Sequence, residues 1–304
     1  MTGPAESTAT PTASPSVLVT GASSGIGRAT VLRFARRGSA LLLVARGREA
    51  LEDTAREARE AGAAQVLVCP ADVTDADAVQ QAVETAVARF GRLDVVVHAA
   101  QVMAYGRVED VPREVYEAVV DTALHGTANV ARSVLPVFRE QRAGDLVVIS
   151  SLLAEVTAPL MGSYVAAKWG QLGLVRTLQQ EIRDLPDVHV SAVAPGGVNT
   201  PIYYQGATYA GRAGRPPIPV YSADRVARAV LARLDRPRRL VHSGFANPVV
   251  VAGFRLFPAV YDALVGPLLK VFALADDDRR EPTEGNVFRS QPRANATDGR
   301  WRGI

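Results

Sequence analysis

The chain has 304 residues, of which 48% are hydrophobic and 21% charged, and a formal net charge of +3. Such a chain can bury a large core, and its arginines are spread along it rather than clustered, so composition points to a globular domain with no nucleic-acid partner. Its single cysteine, Cys69, lies in the apolar run Val66-Leu67-Val68-Cys69 as a small core residue; an intrachain disulfide framework is excluded, a reducing, cytoplasmic setting is expected, and no metal site is called for.

Residues 1–15, rich in Thr, Ala, Ser and Pro, read as a disordered tail and lack the basic segment and apolar run of a secretory signal. From 16 to 243, short apolar runs alternate with helical patterns. Strands are expected at 16–20, 40–45, 65–69, 94–98, 145–150, 188–194 and 239–243. Right-handed crossovers between them put helices on both faces of one parallel sheet, a single α/β domain. The first strand, Val17-Leu18-Val19-Thr20, runs into Gly21-Ala22-Ser23-Ser24-Gly25-Ile26-Gly27 and then an apolar-periodic stretch from Ala29 to Ala35. Strand, glycine turn and helix in that order place a pyrophosphate on a helix N-terminus.

The second strand ends in Ala45-Arg46, Asp72-Val73 follow the third, and the fourth ends in His98-Ala99-Ala100-Gln101. A helical stretch, 112–140, contains Ala123-Leu124-His125-Gly126. The run Leu146-Val147-Val148-Ile149 closes on Ser150-Ser151, at the strand end where open parallel sheets hold ligands. A helix over 162–184 then stacks Tyr164 and Lys168 one turn apart on one face. This pair stands out because Lys168 and Lys270 are the only lysines; with eight tyrosines, chance predicts about 0.05 Tyr-x-x-x-Lys matches. A compact ammonium can lower a neighbouring phenol from its ordinary pKa of ~10 and so let it exchange a proton near neutrality.

After the sixth strand come Pro195-Gly196-Gly197-Val198-Asn199-Thr200 and then a Gly- and Pro-containing segment to Pro219 with Tyr203, Tyr204 and Tyr209. That composition suits a mobile lid over an apolar pocket, a neutral substrate being favoured. The apolar block 244–275 is broken by Pro248, Pro258 and Pro267, and its longest uncharged run, Phe245 to Phe254, is too short to span a bilayer. Packing against the core or a sister subunit is its leading reading, ahead of a pocket wall or a membrane surface. Residues 276–304 read as a disordered polar tail, and the sequon Asn295-Ala296-Thr297 as a chance match.

These motifs make the chain resemble the short-chain dehydrogenases/reductases, which carry a Thr-Gly-x-x-x-Gly-Ile-Gly turn and a Ser…Tyr-x-x-x-Lys site. The resemblance runs from about Val17 to Leu240 and implies a Rossmann-type doubly wound sheet of about seven strands over 16–243. It implies Tyr164 as acid/base, Ser151 as the hydroxyl polarising the substrate oxygen, and Lys168 as the cation tuning the phenol and holding the nicotinamide ribose. Cofactor contacts are implied at Gly21, Ser23, Ser24, Gly25, Ile26, Gly27, Arg46, Asp72, Val73, Ala99, Ala100, Pro195, Gly196, Val198 and Thr200. With Ala45 at the discriminating position and no acid to bind a 2′-hydroxyl, Arg46 points to NADP. The implied reaction is hydride transfer between NADP(H) and the carbonyl/alcohol carbon of a small molecule, in a homodimer or homotetramer joined through the helices at 112–140 and 162–184.

Two departures stand out. His98-Ala99-Ala100-Gln101 replaces the usual Asn-Asn-Ala-Gly, and Ala123 stands where the family usually carries an asparagine that holds a water linking the lysine to solvent. His125 is a poor substitute, because i and i+2 face different sides of a helix. The alternative function is therefore an NADP-binding sensor or structural protein with weak or lost catalysis.

Overall fold

The computed structural model describes residues 14–301. Seven strands form the central sheet: β1 (Ser16–Thr20), β2 (Ala40–Ala45), β3 (Gln65–Pro70), β4 (Val95–His98), β5 (Gly144–Ile149), β6 (Val188–Pro195) and β7 (Leu240–Ser243). They pair in parallel in the order β7-β6-β5-β4-β1-β2-β3. The order reverses between β1 and β4, which opens a crevice at their carboxyl ends.

Helices cover both faces, so the strands read as unbroken apolar runs while their side chains alternate in space. Leu18, Leu42, Val96 and Leu146 meet α3 (Ala76–Phe90), α5 (Gly126–Gln141) and α6 (Gly162–Glu181) through Val83, Phe138 and Leu178. Val17, Val19, Leu41, Leu43 and Val97 meet α1 (Gly25–Ala35), α2 (Arg48–Glu60) and α7 (Ala223–Asp235) through Phe34, Leu51 and Val230. Arg33 grips Asp224 through two hydrogen bonds of 2.6 and 2.7 Å, tying α1 to α7. Asp75 caps α3 by accepting from the Ala78 amide, and Ser222 caps α7 in the same way.

The helical stretch expected at 112–140 is interrupted. It comprises α4 (Arg113–Val120), a π-turn (Asp121–His125) and α5. A third apolar cluster, with Met103, Tyr105, Val119, Ala123, Met161, Tyr164 and Leu269, roofs the carboxyl end of the sheet.

The expected tail at 1–15 lies outside the described residues except for Ser14 and Pro15. The block 244–275 holds α8 (Asn247–Leu256) and α9 (Pro258–Phe272), which stand over the crevice. Among the described residues no helix is long and apolar enough to cross a membrane.

Of the tail expected at 276–304, residues 302–304 lie outside the described residues and 276–301 are placed along the protein surface. Strand β8 (Leu274–Arg279) pairs antiparallel with Arg212–Gly214. The chain then returns across the crevice, where Asn286 N–H donates to Gln205 O at 2.8 Å and the Trp301 ring meets Tyr203 and Tyr204. The buried Val287 and the Trp301 ring give this polar stretch somewhere to pack, and loop carbonyls satisfy some of its amides.

Candidate active site

A single cavity of about 760 Å³ at the carboxyl end of the sheet is lined by every catalytic and cofactor position named from the sequence. At its floor is the turn between β1 and α1. Gly21 has φ of 66°, and a Cβ there would lie 2.7 Å from the Ala99 carbonyl carbon and the Ala100 nitrogen; a Cβ on Gly27 would lie 2.1 Å from Gly21 O. Only glycine lets these backbones close, and the cradle they form opens the α1 N-terminus to the cavity.

Ser151 lies two residues past the end of β5 and is extended, with its Oγ accepting from Leu153 N–H at 3.1 Å. Tyr164 and Lys168 stack on α6, with Nζ 5.8 Å from the ring centroid. Both are buried. Lys168 Nζ donates to Ile149 O at 3.0 Å and to Gln171 Oε1 at 2.9 Å.

Burial works against the lowering of the phenol expected from Lys168. Burial pushes Tyr164 up to about 12, opposed by a hydrogen bond with Ser151, and pushes Lys168 down to about 7. Desolvation disfavours both charged forms, and two of the three ammonium donors go to Ile149 and Gln171 rather than to the phenol.

The substituted loop after β4 is held by Thr20, whose Oγ1 accepts from the Ala99 and Ala100 amides at 3.2 and 3.3 Å and meets His98 Nδ1 at 2.9 Å. Burial, with the nearby Lys168 charge, pushes His98 down to about 3, so it is a neutral core imidazole. His125 is exposed and pairs with Asp121 Oδ1 at 2.7 Å, away from Ala123. His242, within β7, meets the buried Glu155, which also accepts from Arg255.

Arg46 lies at the cavity wall 4.0 Å from Asp72 and donates to the carbonyls of Asn286 and Val287. Gly25 N–H, at the start of α1, donates to Ala296 O at 2.8 Å. The C-terminal segment thus satisfies groups that face the cavity.

The residues fit a dinucleotide. Besides the glycine cradle, the buried Gln101 Oε1, Ser150 Oγ and Asn286 Oδ1 line the cavity with no hydrogen-bond partner among the described residues. Polar atoms stranded in this way await a polar ligand.

The opposite end of the cavity is apolar, with Met103, Val156, Met161, Tyr203, Phe257, Val260 and Leu264. The segment expected as a mobile lid is stitched down: Ala104–Tyr105 pairs with Ala207–Thr208, and Thr208 Oγ1 donates to Arg212 O at 2.6 Å. For the block that holds α8 and α9 a pocket wall is only an alternative in the sequence reading, which does not place Asn286 or Gln171 at this site. For α8 and α9 the available signal was three prolines cutting an apolar block into pieces of pocket-wall length.

The family model for short chain dehydrogenases matches residues 15–209. The chain is 35% identical over 239 residues to 11-beta-hydroxysteroid dehydrogenase 1A of Arabidopsis thaliana, covering 74% of this chain and 67% of that one. It is also 35% identical over 185 residues to the 3-oxoacyl-[acyl-carrier-protein] reductase FabG of Thermotoga maritima, covering 61% and 74%. Among solved structures it resembles an alcohol dehydrogenase from the archaeon Thermococcus sibiricus complexed with 5-hydroxy-NADP, with 32% identity, a TM-score of 0.64 and coverage of 74% and 93%. Fold, motif placement and these similarities agree that the chain belongs to the short-chain dehydrogenase/reductase family of oxidoreductases.

Proposed function

We propose that this oxidoreductase interconverts a carbonyl and an alcohol on a small, largely apolar substrate, using NADP(H), with Tyr164 as acid/base. The observation that carries this reading is the position of Ser151, Tyr164 and Lys168 on one cavity, with a glycine cradle at one end and apolar side chains at the other. When bound, the nicotinamide supplies or accepts the hydride.

Tyr164, held protonated at neutral pH by its burial, gives its proton to the substrate oxygen in the reducing direction. Ser151 Oγ steadies that oxygen as charge develops on it. Lys168 keeps a donor for the cofactor ribose. The Gly21–Gly27 turn receives the pyrophosphate, Asp72 and Val73 meet the adenine, and Ala99 and Ala100 back the adjoining ribose. Pro195, Gly196, Val198 and Thr200 line the nicotinamide end. Arg46 and Ser23 meet a 2′-phosphate, and the absence of an acid at Ala45 supports NADP over NAD. The faces of α4, α5 and α6 are the candidate contacts of a homodimer or homotetramer.

NADPH oxidation against a panel of apolar ketones, aldehydes and quinones tests this reading. Tyr164→Phe is expected to lower kcat about 10²- to 10⁴-fold, and turnover undiminished by that change would overturn the mechanism. Arg46→Ala is expected to raise the KM for NADPH about tenfold and leave that for NADH nearly unchanged. A lower KM for NADH than NADPH, indifferent to Arg46→Ala, would overturn the cofactor assignment.

A further inference from the structure

Gln171 is fully buried and lies one turn beyond Lys168 on the same face of α6. Its Nε2 donates to Thr127 Oγ1 at 2.8 Å and to Ala123 O at 3.2 Å, while Thr127 Oγ1 itself donates to Ala123 O. Ala123 sits in the π-turn, where Gly126 N–H reaches back to Asp121 O. That longer bonding step loosens the ordinary helix ladder and turns the Ala123 carbonyl toward these side chains.

The network fixes the amide's orientation. With Nε2 facing two acceptors, Oε1 must face the Lys168 ammonium; the flipped amide would set N–H groups against N–H groups.

We propose that Gln171 is a positioning residue that holds the Lys168 ammonium with its own side-chain amide, in the place where relatives usually rely on an asparagine at position 123 and a bound water. The inference rests on the function proposed above and deepens it. An amide neither ionises near neutrality nor turns over as a water does. Lys168 is therefore anchored from this side without a proton path to solvent through it, and the phenol is reprotonated from the cavity side. Of the three ammonium donors, two are spent on Ile149 and Gln171, and one is left for the cavity that Lys168 lines. The titratable groups facing it are Tyr164 on its own helix and His98 at the end of β4; Tyr105 and Tyr203 stand behind Tyr164.

The chain's two lysines make a direct test possible. In protein carrying ¹⁵N-labelled lysine, with Lys270→Arg to assign the signals, an NMR titration reads the Lys168 pKa without cofactor or substrate. Gln171→Met keeps the volume and removes the acceptor, and the Lys168 pKa is expected to fall by about one to two units. Gln171→Glu sets a carboxylate against the ammonium and is expected to raise it by about one to three units. The pH profile of kcat/KM is expected to shift in the same direction in each variant. Adding Ala123→Asn to Gln171→Met is expected to restore at least part of the lost shift.

If the Lys168 pKa and the pH profile stay within about 0.3 unit of wild type in both folded variants, a threshold set against the one-unit shift expected above, the inference is overturned. Should Gln171→Met fail to fold, Gln171→Glu alone decides by the same readouts. Loss of the proposed function itself would show as turnover insensitive to Tyr164→Phe, while the lysine titration would still report on Gln171.

Discussion

At the scale of single residues, burial of Tyr164 and Lys168 couples stability to pH in opposite directions. Lys168 has its folded pKa lowered from 10.5 to about 7. Between those values the unfolded chain binds more protons than the folded one, so stability rises with pH across that window. Tyr164 has its folded pKa raised from 10.0 to about 12. Between those values the folded chain keeps the proton longer, so stability falls as pH rises. Replacing Lys168 with Met is therefore expected to remove a rise of a few kcal/mol at most between pH ~7 and ~10, and urea midpoints for the two proteins across that range check it. An unchanged pH slope in Lys168→Met would show that the ammonium is solvated. The Tyr164/Lys168 pair was legible because lysine is so rare in this chain. Gln171 was not, because a glutamine three residues past a lysine carries no signal until the π-turn presents the Ala123 carbonyl to it.

Among the secondary-structure elements, the strands were the most legible part of the chain. Burial on both faces forces continuous apolar runs such as Leu41 to Val44, and all seven fall within a residue or so of their expected limits. Helix interruptions left less trace, since Val120-Asp121-Thr122-Ala123 has no glycine or proline to announce the π-turn. The β1–α1 turn makes the sharpest prediction at this scale. Gly21→Ala puts a Cβ 2.7 Å from the Ala99 and Ala100 backbone at a φ of 66°. Strain of roughly 1–3 kcal/mol must be absorbed by moving the loop that faces the cavity. The expected outcome is a lowered urea midpoint together with at least about a tenfold (~1.4 kcal/mol) weaker NADPH affinity in a fluorescence titration. Loss of stability with affinity intact would mean that the turn holds the fold but not the cofactor.

For the whole molecule, the C-terminal sixty residues complete a site whose chemistry lies earlier in the chain. Helices α8 and α9 line the apolar end, yet Leu256, Phe257, Val260 and Leu264 stay more than half exposed, so this wall continues onto the surface beside the cavity. The segment after β8 covers the glycine-turn end of the cavity. None of this was legible in its polar composition, because its placement depends on distant partners: Gly25, Arg46, Gln205 and Asn199 lie 80 to 270 residues earlier in sequence. Ala296 O holds the Gly25 N–H, and the Asn286 and Val287 carbonyls hold Arg46, so the segment engages two groups proposed to meet cofactor phosphates. A bound phosphate can take those donors only if the carbonyls withdraw, and the segment can then close over the cofactor again. Association must wait for that withdrawal, and dissociation for the segment to open again. Deleting residues 281–304 is accordingly expected to raise both the association and dissociation rates of NADPH several-fold in stopped-flow fluorescence, with a smaller change in Kd. Unchanged rates would mean that the segment leaves the cleft on its own faster than cofactor arrives. A slower association would mean that it helps to assemble the phosphate site rather than occupying it.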